Sequence, residues 1–425
     1  MNNIFNIASK YILVDHMNLI YDIKNSHGNF LVDKITNKKF LDAFSFFASN
    51  PLGFNHPKLN DKKFEEKLLK VAKVNPSNAD ILTEEYVEFL EKFFEIAVPP
   101  YFRDSFFIAG GCLAVENALK TAFDWKYKKL QSRGIKINYN DMKVVHFKNA
   151  FHGRSGYTLT ITNTNDPRKY DLFPQFSNWP RLTAPAIHER ISEGEQMVRD
   201  AKFLNSALDI IDRYGNECCA IIIEPIQGEG GDNHFTKDFH KNLRFIADKN
   251  EMLLIHDEVQ TGIGITGKMW AHEHYGIHPD ILCFGKKMQV CGILSGNRVR
   301  EVKGNVFEES SRINSTWGGN LVDMVRAQKY LEIIKEERLV QNSKVVGEYL
   351  FNGLKKMGLD NVRGEGLMCA FDYIDESERN SLLKRCFSSG LLMLGCGSNS
   401  VRVRPSLTFS KSDCDILLNI LSKII

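Results

Sequence analysis

DILCFGKKMQVCG, residues 280–292, sets two lysines one residue after a four-residue apolar run, Ile281–Phe284. Paired lysines ordinarily lie in solvent. A lysine at the end of a buried strand instead loses hydration, so its pKa falls and a neutral amine becomes available. Whether that run is a buried strand therefore decides both the fold and the chemistry.

Three further runs have the same character: VVHF (144–147), AIII (220–223) and MLLIH (252–256). Near-continuous apolar runs of this length suit strands covered on both faces of a parallel sheet. Helical patterns lie between them. In CLAVENALKTAFDWKYKKL, Val115, Ala118, Leu119, Ala122 and Phe123 recur at helix spacing. Strand and helix in alternation predict an α/β core with a mostly parallel central sheet. The stretch GNFLVDKITNKKFLDAF predicts two strands joined by a turn near Asn37. Beyond residue 320, the helical segment VDMVRAQKYLEIIKEERL leads into an α+β tail with strands at LMCAFDY and VRVRPSL. The expected organisation is a large domain over 61–320, with a smaller α+β domain formed by both chain ends, 1–60 and 321–425.

The 425 residues are 43% hydrophobic and 25% charged, the proportions of an ordinary globular protein. Fifty-five basic against 52 acidic residues leave a net charge of +3, dispersed along the chain. That balance predicts neither nucleic acid nor a membrane surface as a partner. The opening MNNIFNIASKYILVDHMN lacks the apolar region of a secretory signal, and no run of 18 apolar residues occurs. The nine cysteines contain no C-x-x-C pair and are expected to be free thiols in a reducing cytoplasm.

Ligands of open parallel sheets bind beyond the carboxyl ends of the strands. After AIII comes EPIQGEGG (224–231), after MLLIH comes DEVQ (257–260), after ILCF comes GKK (285–287), and AFHGRSGYT (150–158) follows VVHF. Two acids, an amine, a His-Gly-Arg turn and a glycine-rich loop would share one edge. A neutral amine forms a Schiff base with an aldehyde, and pyridoxal phosphate is an aldehyde that acts as an electron sink. Its phosphate needs backbone N–H groups at a helix N-terminus, which the Gly-Gly turn of AGGCLAVENALK supplies. Its pyridine nitrogen needs a carboxylate, such as Asp257, and its ring an aromatic face, such as Phe151.

LLIHDEVQTG followed by HPDILCFGKKM resembles the signature of the class III, fold-type I aminotransferases that depend on pyridoxal 5'-phosphate, and the likeness runs from SNPLGFNHP to VRVRPSL. The resemblance implies that Lys286 holds the cofactor and shuttles a proton, Asp257 pairs with the pyridine nitrogen, and Gln260 bonds the ring hydroxyl. Gly111 and Cys112 would bind phosphate, Phe151 would stack on the ring, and Thr316 would reach the cofactor phosphate of a second subunit in a homodimer.

Within the family, FHGRSGYTLTITNT, PQFSNWPRL and EPIQGEGGDNHF imply transfer of the ε-amino group of L-lysine to 2-oxoglutarate, giving 2-aminoadipate 6-semialdehyde and glutamate by a ping-pong route. Arg154 would take the α-carboxylate of lysine, or the distal carboxylate of 2-oxoglutarate, whose α-carboxylate would fall to Arg404. Glu229 would neutralise Arg404 while lysine is bound and swing aside for 2-oxoglutarate. The rivals are an ω-aminotransferase for ornithine or 4-aminobutyrate, and an aminomutase or racemase on the same scaffold. Two other patterns carry less. GIGITG (262–267) satisfies G-x-G-x-x-G but opens no helix, and His272, His274 and His278 of HEHYGIHP do not form H-E-x-x-H, so no metal site is expected.

Overall fold

In the computed structural model, which describes residues 3–15 and 17–425, the four apolar runs are neighbouring strands of one sheet. Before them comes an antiparallel hairpin, β1 (Phe30–Val32) and β2 (Lys39–Asp42), turning through Asn37 at φ 57°. The central sheet contains β3 (Phe102–Ile108), β4 (Lys143–Phe147), β5 (Arg181–Leu182), β6 (Cys218–Ile223), β7 (Leu253–Asp257), β8 (Ile281–Phe284) and β9 (Cys291–Gly296). Their order is β3-β9-β8-β7-β6-β4-β5. Pairing is parallel from β5 to β8, and β9 runs antiparallel to both of its neighbours.

The runs are apolar throughout because both faces are covered. Ala220, Ile222, Leu253 and Ile255 pack in the cluster that holds the helix Gly111–Ser132. Their alternates Ile221, Ile223 and Leu254 pack with Phe239 and Leu243 of the helix Lys237–Lys249. A strand whose two faces both meet helices has no polar side to show, so alternation disappears from its sequence.

A four-stranded antiparallel sheet follows, in the order β10 (Asp360–Glu365), β11 (Met368–Asp372), β14 (Ser400–Val403), β13 (Leu394–Cys396). Between β11 and β13, β12 (Leu391–Leu392) runs parallel to β2, so the two chain ends share a small sheet. The segment after residue 320 is two helices, Leu321–Glu336 and Leu339–Lys356, where the sequence pattern runs on as one. Arg338 divides them by adopting the left-handed conformation at φ 52°. Among the described residues no helix is long and apolar enough to cross a membrane.

Candidate active site

Three parallel strands deliver the chemistry at one edge. β6 ends into Glu224, β7 ends on Asp257, and β8 leads through Gly285 to Lys286. A cavity of about 520 Å³ opens there, and Lys286, Asp257, Gln260 and Phe151 line it. Burial, and then the positive charge of Arg402, lower the Lys286 amine to about 8, against the opposing pull of Glu224, Asp257 and Glu229. The backbone of Lys286 is left-handed, at φ 49°. Lys287 is also buried, with its Nζ donating to the carbonyls of Gln260 at 2.6 Å and Ala48 at 3.3 Å. The pair therefore divides its work: the first lysine faces the cavity and the second ties the loop after β7 to the N-terminal region.

Asp257 is buried, and its carboxylate accepts from His152 Nδ1 at 2.8 Å and from the Val259 amide at 3.1 Å. His152 lies between Phe151 and Arg154, in the turn expected to hold substrate, yet its own contact is with the acid. Glu224 accepts from the Phe151 and Gly228 amides at 2.9 and 3.1 Å. Burial first, then the negative charge of Asp257, push the Glu224 carboxyl up to about 7 despite these bonds and the opposing influence of His152.

The helix Gly111–Ser132 begins at the cavity wall, with Gly110 at its N-cap in the left-handed half of the map, φ 112°. No side chain caps it, so the first-turn amides, including those of Gly111 and Cys112, remain for a ligand. The His-Gly-Arg turn presses so close that a Cβ on Gly153 would lie 2.2 Å from Cys112 Cβ. Val259, which sequence reasoning passed over, lines the same cavity as Phe151.

The arginines require a correction. Arg404 was expected to meet Glu229, but its guanidinium is buried against Asp232 and also donates to the Val403 carbonyl at 2.9 Å and to Gln260 Oε1 at 3.3 Å. Glu229 instead accepts from Arg402 Nη2 at 2.8 Å and from Lys169 Nζ at 2.5 Å. The loop Glu229–Asp232 thus offers two acids to two arginines, and Arg404, held by Asp232, has no place for a substrate carboxylate. Its contact with Gln260 makes it a support for that amide. Asp232 and Arg402 were both missed; EGGD (229–232) offers two acids and RVR (402–404) two arginines, but nothing local in the sequence pairs them. Burial alone would raise the Glu229 carboxyl, but Arg402 and Lys169 outweigh it and hold it below its ordinary value.

Arg154 is exposed and lines the cavity. Glu229 lines an adjoining polar cavity of about 480 Å³ with Lys169 and Arg379. Thr316 is not brought to the site of its own chain; it lies exposed beside Trp317. The residues of GIGITG form turns without a following helix. His272 belongs to a buried group with His256 and Glu258. There the Glu258 carboxylate is taken up by the Ala271 and His272 amides, the Thr261 hydroxyl and His272 Nδ1. The second His272 nitrogen meets the Tyr101 hydroxyl. These bonds tie the turn after β7 to the segment before β8 and take up the Glu258 carboxylate and both His272 nitrogens, while the His256 ring nitrogens have no partner among the described residues.

The residues present fit pyridoxal phosphate: uncapped helix amides for the phosphate, Asp257 for the pyridine nitrogen, an aromatic wall and an amine of lowered pKa. A family model described as Aminotransferase class-III matches residues 11–425. The L-lysine-epsilon aminotransferase of Mycobacterium tuberculosis is 41% identical over 421 residues, 97% of this chain and 93% of its own length. That of Streptomyces clavuligerus is 42% identical over 424 residues, 97% of this chain and 92% of its own. The solved lysine aminotransferase of M. tuberculosis superposes with a TM-score of 0.97 at 40% identity, covering 99% of this chain and 98% of that one. On its sequence, its fold and the residues at its strand ends, the chain belongs to the class III aminotransferases, enzymes that work through pyridoxal 5'-phosphate.

Proposed function

We propose that this enzyme transfers the ε-amino group of L-lysine to 2-oxoglutarate, producing 2-aminoadipate 6-semialdehyde and L-glutamate. One observation carries the reading: the Glu229–Arg402 pair at 2.8 Å, close enough to Lys286 for both charges to act on its amine. Full-length identity of 41% to L-lysine-epsilon aminotransferases supports it. Lysine reacting at its ε-carbon brings only methylene groups to the neighbourhood of Arg402, where a bare guanidinium would be costly. Glu229 answers that charge. 2-Oxoglutarate reacts next to a carboxylate, which takes Arg402 in place of Glu229. In both cases Arg154 receives the far carboxylate, the α-carboxylate of lysine or the distal one of 2-oxoglutarate.

Bound pyridoxal phosphate supplies the electron sink that stabilises charge on the substrate carbon. The rest is the work of side chains. Asp257, oriented by His152, would present its carboxyl group to the pyridine nitrogen at the bottom of the cavity. Arg404 braces Gln260 so that the amide meets the ring hydroxyl. Gly111 and Cys112 offer amides to the phosphate, and Phe151 offers its ring face. Lys286 Nζ, as the neutral amine, would take the proton from the reacting carbon of the substrate.

Thr316 would act across a homodimer, at the second subunit's phosphate; its exposure on this chain, beside a Trp317 that is 51% exposed, suits a covered position in such an assembly. The nine unpaired cysteines, seven of them buried, suit a cytoplasmic enzyme. The test is to supply purified enzyme with 2-oxoglutarate and lysine, ornithine or 4-aminobutyrate and measure glutamate. Lysine should give the highest kcat/KM. A preference for another donor overturns the substrate assignment, and glutamate formation from none of them overturns the activity.

A further inference from the structure

Glu229 has two cationic partners, and only Arg402 has a place in the exchange described above. Lys169 lies in the loop that follows the His-Gly-Arg turn, at the end of the short 3₁₀ turn Pro167–Lys169. Its neighbours Asp166 and Arg168 pair with each other at 2.7 Å, which leaves the Lys169 ammonium to Glu229 Oε1 at 2.5 Å. The same ammonium stands 6.0 Å from the centroid of the Phe151 ring, the aromatic wall of the cofactor cavity. Arg402 holds the other carboxylate oxygen, Oε2. Side-chain exposure is 25% for Lys169, 22% for Glu229 and 5% for Arg402, so the charges grade from the rim inward.

The backbone beneath Glu229 is fixed. Gln227 and Asn233 pair across the loop, and the Gly397 amide donates to the Glu229 carbonyl at 3.0 Å. A Cβ on Gly230 would lie 1.8 Å from the Asn149 carbonyl oxygen. Movement of Glu229 is therefore confined to its side chain, which has a cation on each side.

We propose that Lys169 is the positioning residue of the donor–acceptor exchange: it keeps hold of Glu229 when Arg402 is surrendered to a substrate carboxylate. The proposal rests on the Glu229–Arg402 exchange of the proposed function and adds what makes that exchange inexpensive. Lys169, Glu229 and Arg402 together carry one net positive charge. An arriving carboxylate neutralises the group. Without Lys169 the Glu229–Arg402 pair is already neutral, and a carboxylate would leave a net negative cluster with Glu229 stranded. While Arg402 is engaged, Lys169 is one of two partners of the acid; once Arg402 is given up it is the sole partner. Its contribution is thus larger in the open arrangement than in the closed one, and its loss selectively penalises dicarboxylates.

The experiment compares two single turnovers of the holoenzyme that begin from the same cofactor form, one with L-glutamate and one with L-lysine, followed by cofactor absorbance. In Lys169→Met the ratio of the glutamate rate to the lysine rate should fall about tenfold, equivalent to about 1.4 kcal/mol. Lys169→Arg, which keeps the charge, should restore most of that ratio. Calorimetric titration of the holoenzyme with glutarate, a dicarboxylate that cannot react, should show affinity reduced about tenfold in Lys169→Met. An unchanged ratio, a parallel loss of both turnovers, unchanged glutarate affinity, or an arginine variant as impaired as the methionine one overturns the proposal. The wild-type turnovers report separately on the parent reading: if the unmodified enzyme accepts neither lysine nor glutamate, the assigned function fails, whatever Lys169 does.

Discussion

Arg402 Nη2 donates to Glu229 Oε2 at 2.8 Å, and Arg404, two residues along the chain, is buried against Asp232 instead. The two arginines should therefore fail differently. Arg402→Ala should weaken 2-oxoglutarate about a hundredfold while affecting lysine far less, since lysine brings no carboxylate to that position. Arg404→Met strands the Asp232 carboxylate in the interior and should destabilise the protein by about 3–5 kcal/mol. The double variant Arg404→Met with Asp232→Asn should recover part of that loss. Half-reaction kinetics check the first expectation and urea denaturation the second.

The two lysines can be separated chemically. Borohydride reduction of the holoenzyme should attach the cofactor to Lys286 and leave Lys287 unlabelled, as read by peptide mapping. Lys286→Ala should abolish turnover. Lys287→Met should lower stability, because the Gln260 and Ala48 carbonyls lose their donor, yet leave the label on Lys286. The Lys286 amine titrates at about 8 before the cofactor is attached. Recombination of cofactor-free enzyme with pyridoxal phosphate should accordingly accelerate about tenfold per pH unit below 8 and level off above it.

Asp257 meets His152 at 2.8 Å beneath the cavity. Asp257→Asn removes the negative charge facing the pyridine nitrogen and should reduce kcat on the order of 10²–10³-fold with a smaller change in KM. His152→Ala leaves the acid in place but free to turn, so the loss in kcat should be about tenfold. Steady-state kinetics with lysine distinguishes the two.

His256 lies fully buried in β7, and among the described residues neither of its ring nitrogens has a partner. Burial, and then the nearby His240 and His272, hold its pKa well below 6.5. Such a histidine is neutral in both folded and unfolded chains above pH 6.5 and has no effect on stability there. Below that value the unfolded chain takes up a proton that the folded chain refuses, so stability falls with pH. This residue should therefore make the protein less stable at pH 5 than at pH 7.5. His256→Leu should remove that part of the pH dependence, whatever its fixed effect on packing. Denaturation midpoints at the two pH values give the comparison.

Much of this enzyme was legible along the chain. Runs such as AIII and ILCF are apolar throughout because helices cover both faces of the sheet, and that constraint is written locally in composition. The cavity residues Lys286, Asp257, Gln260 and Phe151 could be proposed because parallel strands deliver whatever follows them to one edge. β9, which runs antiparallel to both of its neighbours, was not read from the sequence. Lys287 was unreadable as a buried group, because its two carbonyl partners come from distant segments.

The pairing of charges was decided only in three dimensions. EGGD and RVR each supply two candidates, and local spacing assigns no partner to any of them. The sheet that holds β14 brings Arg402 to Glu229 and turns Arg404 to Asp232, and the loop after the His-Gly-Arg turn adds Lys169. Sequence by itself pointed to the sheet through local pattern and strand direction, and to the cofactor chemistry, with Lys286 as its carrier, through its resemblance to the class III aminotransferases. Tertiary structure alone decided that Arg402 pairs with Glu229 and Arg404 with Asp232, because an ion pair depends on distance between chain segments about 170 residues apart.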